Sequence, residues 1–160
     1  MNILIDACLQ TLNKTEFLIT GLNDSNYSNK SVPPYYSSIG AHIRHILDFY
    51  NCIVSVDEYG VDLTKRIRNI DVEVNRQTAL DYLFELKEKL INMNLHEDKL
   101  LAVTDDLGNG ALKINYTWGS LLAQANSHTI HHYAIINYIT ERLEIPIKDE
   151  RFGFNATTPN

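Results

Sequence analysis

The chain has few cysteines, few prolines and a deficit of basic residues. Its 160 residues include two cysteines, four prolines and 14 lysines and arginines against 20 aspartates and glutamates. Cys8 and Cys52 are far apart and form no CxxC motif, so a disulfide scaffold is excluded and buried, reduced thiols in a cytoplasmic protein are expected. The net charge of −6 argues against nucleic-acid binding, which depends on clustered lysine and arginine.

Long apolar runs are also missing from the sequence. None approaches the roughly 20 residues that cross a bilayer. The first ten residues, MNILIDACLQ, lack the basic start and the cleavage site of a signal peptide, so we expect no leader and no membrane partner. Repeats, low-complexity blocks and glycine-rich phosphate loops are absent as well. With 44% hydrophobic and 21% charged residues, the composition predicts one globular domain over residues 1–160.

Apolar residues recur at three- and four-residue steps in four separate stretches, which is the spacing of amphipathic helices. Connections rich in proline, glycine, asparagine and aspartate separate these stretches. Ser37 or Ser38 is the predicted N-cap of the second helix, and Thr117 is that of the fourth. The sequence therefore predicts helices near residues 3–22, 37–56, 76–94 and 117–143.

Two segments do not follow the helical pattern. Residues 100–116 read LLAVTDDLGNGALKINY, and their β-favouring residues around a glycine-containing turn predict a short hairpin or an extended excursion before the last helix. After Pro146 the chain should continue as an extended tail, packed on the helices through Phe152 and Phe154. The overall expectation is an all-α fold.

Five of the six histidines lie in two of the predicted helices. His128 and His132, in SHTIHHYAIINYI, are four residues apart and share one helix face, as the two ligands of an HExxH metal site do. His131 lies three residues from His128, so that pairing stays open. His42 and His45, in IGAHIRHILDFY, flank the apolar seam of the second helix, from which either could supply a third ligand.

Together these two motifs resemble the DinB-like superfamily of metal-binding proteins, which includes YfiT-like metal-dependent hydrolases and bacillithiol transferases. The resemblance extends over nearly the whole chain, including the VDLTKRIRN segment and the FGF and TTP parts of the tail. It implies an all-α, up-down-down-up four-helix bundle with one metal ligand on the second helix and two on the fourth. Carried onto this sequence, the ligands are His45, His128 and His132, with His42 and His131 as alternatives.

Three neutral imidazoles leave coordination positions open, which is typical of catalytic metal sites. One divalent ion is expected, and zinc, nickel, iron and manganese all suit imidazole ligands. The HExxH glutamate is missing, which argues against a peptidase, and a helical wheel turns Asp48 away from the seam. We expect a metal-dependent enzyme, a thiol S-transferase or a hydrolase. The alternatives are a non-catalytic metal-binding or stress-response protein, and a helical bundle with structural histidines that acts by association.

The charged connection VDLTKRIRNIDVEVN allows two interpretations. Its ions can pair in a solvated loop. Alternatively, Arg66 or Arg68 reaches the mouth of the histidine site and binds an anionic group of the substrate. The expected partner is a small molecule, with a low-molecular-weight thiol as the leading candidate, and the candidate assembly is a homodimer.

Overall fold

Four long helices form the main part of the structure, a computed structural model that describes residues 2–159. All four begin and end within about three residues of the positions predicted from apolar spacing. Two one-turn helices, α2 and α4, lie in segments that were predicted as loops. In chain order the elements are α1 (Ile3–Gly21), α2 (Asp24–Tyr27), α3 (Ile39–Val54), β1 (Val61–Asp62), α4 (Asp71–Val74), α5 (Arg76–Ile91), β2 (Leu100–Asp106), β3 (Ala111–Thr117) and α6 (Trp118–Arg142).

Polar N-caps determine where the long helices begin. The Ser38 hydroxyl accepts the backbone N–H of Ala41 at 3.0 Å, and the Thr117 hydroxyl accepts that of Ser120 at 3.1 Å. Each bond satisfies a backbone donor that has no partner within the first helical turn. The predicted caps of α3 and α6, which carry the clustered histidines, are therefore confirmed.

The core lies between α1, α3, α5 and α6, with α3 and α1 each packed against both α5 and α6. The apolar seam predicted on α3 is fully buried, which confirms its orientation. It consists of Ile39, Ile43, Ile46, Tyr50 and Ile53. Burying this face against two other helices favours one rotation of α3, and with it one direction for its histidines.

The prediction of an all-α four-helix bundle is wrong, because residues 2–159 contain a three-stranded mixed sheet. Strands β2 and β3 form an antiparallel hairpin, in register from Leu100 opposite Thr117 to Asp106 opposite Ala111. Strand β1 then adds to the other edge of β2 in parallel, with Val61 opposite Val103. Both valines are buried, so this small sheet contributes to the core. The fold is therefore mixed α/β.

A close backbone contact fixes how α3 begins against α4. A Cβ at Gly40 would overlap the carbonyl oxygen of Glu73, so a glycine is needed where α3 begins against α4.

In the tail after α6, Phe152 is buried and stacks on Tyr133 with ring centroids 4.4 Å apart, whereas Phe154 is exposed. The predicted packing of the tail is thus confirmed for Phe152 and wrong for Phe154. Every helix within residues 2–159 is too short or too polar to span a bilayer.

Candidate metal centre

The clustered histidines meet where α3 faces α6. His42 and His45 are one turn apart on α3, and His128 and His132 are one turn apart on α6. His132 is buried, with 9% of its surface exposed, and the other three are half-buried. The spacing of the histidines along α3 and α6 therefore brings the four imidazoles together at one helix interface.

Three of these imidazoles direct the same ring nitrogen at a common point. The Nε2 atom of His128 lies 2.9 Å from Nε2 of His45 and 3.2 Å from Nε2 of His132. The potential ligand atoms of His45, His128 and His132 all lie within 4.8 Å of one another. A neutral imidazole nitrogen carries either one proton or one in-plane lone pair. Nε2 of His128 therefore cannot form a well-directed hydrogen bond in both contacts.

A divalent ion fits this arrangement better than protons do. Imidazole nitrogens bind zinc at about 2.0–2.1 Å, so two nitrogens on one ion lie about 2.9–3.4 Å apart, depending on the angle at the metal. Both short Nε2 distances fall in that range. Three lone pairs on one ion also remove the conflict at Nε2 of His128. The residues present therefore fit the metal that the resemblance implies, although their ligation remains a prediction.

The surroundings keep these imidazoles neutral, as metal binding requires. Burial is the main cause in each case. It lowers the pKa of His45 to about 4, with further contributions from Arg66 and His128. It lowers the pKa of His132 to about 2, assisted by the neighbouring histidines, and it also lowers the pKa of His128. At neutral pH all three rings therefore have a lone pair available.

Two further residues contact the far side of the ligand rings. Arg66 donates from Nη1 to Nδ1 of His45 at 3.1 Å and from Nε to the carbonyl of Leu63 at 3.2 Å. His42 lies with its Nδ1 atom 3.0 Å from Nδ1 of His132. Phe49 of α3 also packs its ring against His128, with centroids 5.0 Å apart. The candidate centre thus has an arginine, a fourth histidine and a phenylalanine as neighbours.

The remaining candidates from the sequence lie farther from the common point. His131 is exposed and stands beside His128 and His132 without joining the three converging nitrogens. Arg68 is exposed, and its backbone N–H donates to Asp48. Of the two arginines, Arg66 is therefore the one whose side chain contacts a clustered histidine.

The helical wheel turns Asp48 away from the main seam of α3, and the structure buries it on a second face of that helix. Its carboxylate is 1% exposed and accepts hydrogen bonds from Arg44, from the backbone of Arg68 and from the hydroxyl of Tyr82. A helical wheel represents α3 alone, so it does not show that α5 and the segment after β1 cover this second face. Asp48 thus belongs to a buried polar network beside the histidines.

A separate groove of about 700 Å³ runs along the C-terminal half of α1 and the chain after α6. Phe17, Leu18, Ile145 and Pro146 contribute to its walls. It is bordered by other residues than the clustered histidines, so its size does not make it the mouth of the metal centre.

Comparison with known proteins agrees with this description of the fold. The crystal structure of YjoA, a DinB-like protein from Bacillus subtilis, is similar to this chain with a TM-score of 0.57 and 23% sequence identity. The similarity covers 94% of this chain and 100% of the YjoA chain. No family model and no curated protein matches the sequence. On the strength of the structural similarity, the chain has the DinB-like fold.

Proposed function

We propose that this protein is a metal-dependent enzyme acting on a small molecule, and that His45, His128 and His132 bind one divalent ion. The observation that carries this proposal is the convergence of three Nε2 atoms from two helices, with contacts of 2.9 and 3.2 Å. Three protein ligands leave coordination positions for water or substrate, which is the arrangement of catalytic rather than structural sites. Zinc, nickel, iron and manganese all remain candidates.

A divalent ion held by these three histidines would lower the pKa of a bound water or thiol toward neutrality, which is the chemistry that hydrolysis or thiol S-transfer needs. The chain's own contribution is to keep three imidazoles neutral and to hold them at fixed positions. Burial and helix packing accomplish both. Phe49, 5% exposed and packed on His128, keeps one side of the centre apolar.

The position of Arg66 supports an anionic substrate. Its guanidinium is only a donor, so Nδ1 of His45 must accept in the contact seen here. When His45 binds a metal through Nε2, its Nδ1 atom carries the proton, and two donors then face each other. Arg66 also lies beside the incoming ion, where its charge is unfavourable. We propose that an anionic group of the substrate accepts from Arg66 and relieves both problems.

A matched pair of thiols tests this substrate class. Mercaptoacetate has a carboxylate that 2-mercaptoethanol lacks, and binding of each to the cobalt-loaded protein is followed through the thiolate-to-cobalt absorption band. We expect tighter binding of mercaptoacetate to the parent protein and loss of that preference in Arg66→Gln. Equal affinity of the parent for both thiols would contradict the role of Arg66.

Turnover is tested separately from binding. The metal-loaded protein is incubated with low-molecular-weight thiols and electrophiles, and with hydrolysable esters and amides, with His132→Ala as the control. Consumption of a substrate by the parent and not by the control supports an enzyme. Metal binding without any turnover would favour the non-catalytic metal-binding or stress-response alternative.

A further inference from the structure

His42 stands beside the proposed ligands, and both of its ring nitrogens are engaged. Its Nδ1 atom lies 3.0 Å from Nδ1 of His132, and its Nε2 atom lies 2.8 Å from the hydroxyl oxygen of Ser37. It therefore meets His132 at the ring nitrogen opposite to the one that faces His128. We propose that His42 is not a ligand but a positioning residue, which fixes the tautomer and the ring orientation of His132. This inference rests on the metal site proposed above.

The positions of the ring protons support this role for His42. If His132 binds the ion through Nε2, its only ring proton is on Nδ1. That N–H must donate across the 3.0 Å contact, so Nδ1 of His42 accepts it. The proton of a neutral His42 is then on Nε2 and donates to Ser37. One ligation event thus determines the tautomers of both rings, and each contact has one donor and one acceptor.

The packing around the start of α3 supports this hydrogen-bond chain. His42 lies in the first turn of α3, where its backbone N–H donates to the carbonyl of Ser38 at 3.3 Å. Gly40 lies so close to the backbone of Glu73 and to the ring of Tyr27 that an added Cβ would overlap both, so this end of the helix is tightly packed. Metal-binding histidines commonly donate their second N–H to an acceptor that orients them. Here a neutral imidazole takes the place of the usual carboxylate or carbonyl.

A ligand role for His42 is the competing interpretation. It would require one of its nitrogens to leave His132 or Ser37 and turn toward the three Nε2 atoms. An asparagine distinguishes the two roles, because its side-chain oxygen can accept at the place of Nδ1 but is a poor ligand for cobalt or zinc compared with imidazole.

The experiment measures cobalt affinity, by competition with a chelator, and the cobalt visible absorption spectrum. His42→Leu, His42→Asn, Ser37→Ala and the exposed His131→Ala are compared with the parent. We expect His42→Leu to bind about 10- to 100-fold more weakly with one ion per chain and an unchanged spectrum, since the ligands remain. His42→Asn should recover most of the affinity, Ser37→Ala should lose less than His42→Leu, and His131→Ala should equal the parent.

A second measurement does not depend on affinity. Nitrogen NMR of the zinc-loaded parent should show the His132 proton on Nδ1 and the His42 proton on Nε2. The inference is overturned if His42→Leu binds cobalt as the parent does, or if both His42 variants are equally weak with a shifted spectrum. A parent that binds no metal overturns the proposed function as well, so the two failures are distinguishable.

Discussion

At the scale of single residues, the buried carboxylate of Asp48 connects three parts of the chain beside the metal centre. Arg44 reaches it from one turn earlier on α3 at 3.2 Å, Tyr82 reaches it from α5 at 3.2 Å, and the backbone of Arg68 reaches it from the segment after β1 at 3.2 Å. Arg44 also donates to Glu73 at 2.8 Å. Removing Asp48 leaves the Tyr82 hydroxyl and the Arg68 N–H without their buried acceptor, and it leaves Glu73 as the remaining partner of Arg44.

We therefore expect Asp48→Ala to reduce the free energy of unfolding by about 3 kcal/mol. The matched control is Glu85→Ala, which removes an exposed ion pair with Lys89 and should cost about 0.5 kcal/mol. Urea denaturation of both variants provides the comparison. Equal effects of the two substitutions would show that the network around Asp48 contributes no more than a surface pair.

At the scale of elements, local signals explain what could be predicted from the sequence. The caps Ser38 and Thr117 and the three- and four-residue apolar spacing act within a few residues of one another, so they defined the four long helices. Strand β1 was not predicted, because it has only two residues, 61–62, and they pair with a strand some 40 residues later along the chain. The one-turn helices α2 and α4 are too short to show a period.

Local signals also explain which parts of the candidate site could be predicted from the sequence. Spacing alone placed His128 and His132 on one face, and it placed His42 and His45 at the edge of a buried seam. The choice between His42 and His45 depends on how α3 and α6 are rotated against each other, which no local pattern encodes. Ser37 carried a signal only as a candidate cap, so its contact with His42 was not predicted.

The N-cap of α6 gives a prediction at this scale. Thr117→Ala removes the acceptor for the Ser120 N–H and should lower the free energy of unfolding by about 1 kcal/mol. Thr117→Ser keeps the hydroxyl and should stay close to the parent. Thermal denaturation of the metal-free proteins compares them, and equal losses in both variants would mean that the methyl group, not the cap, is responsible.

The close approach of β1 to β2 gives a second prediction at the scale of elements. Gly60 and Gly108 have similar positive φ angles, 110° and 102°, but only at Gly60 would a Cβ overlap backbone, the carbonyl of Ala102. Alanine at either position is strained, by about 1–2 kcal/mol. We expect Gly60→Ala to cost about 1–3 kcal/mol more than Gly108→Ala in the free energy of unfolding. Equal costs would contradict the close approach of β1 to β2.

At the scale of the whole molecule, the histidine cluster couples folding to pH. The folded protein lowers the pKa of His45 to about 4 and that of His132 to about 2, mainly by burial, and it lowers the pKa of His42 and His128 as well. In the unfolded chain these groups bind protons near pH 6.5. As pH falls below that value, the unfolded state binds more protons than the folded state, so stability decreases.

Urea denaturation of the metal-free protein in a chelator should therefore show lower stability at pH 5 than at pH 7.5. The control variant, with His45, His128 and His132 each replaced by Gln, should show a smaller decrease over the same interval, since three of the coupled groups are gone. A parent protein that is as stable at pH 5 as at pH 7.5, or a control with the same decrease, would contradict this coupling.

Metal content measured per chain tests the central claim most directly. The protein is produced with zinc, nickel and manganese added, and the purified parent is compared with single alanine variants of His45, His128, His132, His131 and His96. We predict one divalent ion per parent chain, little or none in the first three variants, and an unchanged content in His131→Ala and in His96→Ala, because both of these side chains are exposed. A metal-free parent, or full occupancy in His128→Ala and His132→Ala, would contradict the account.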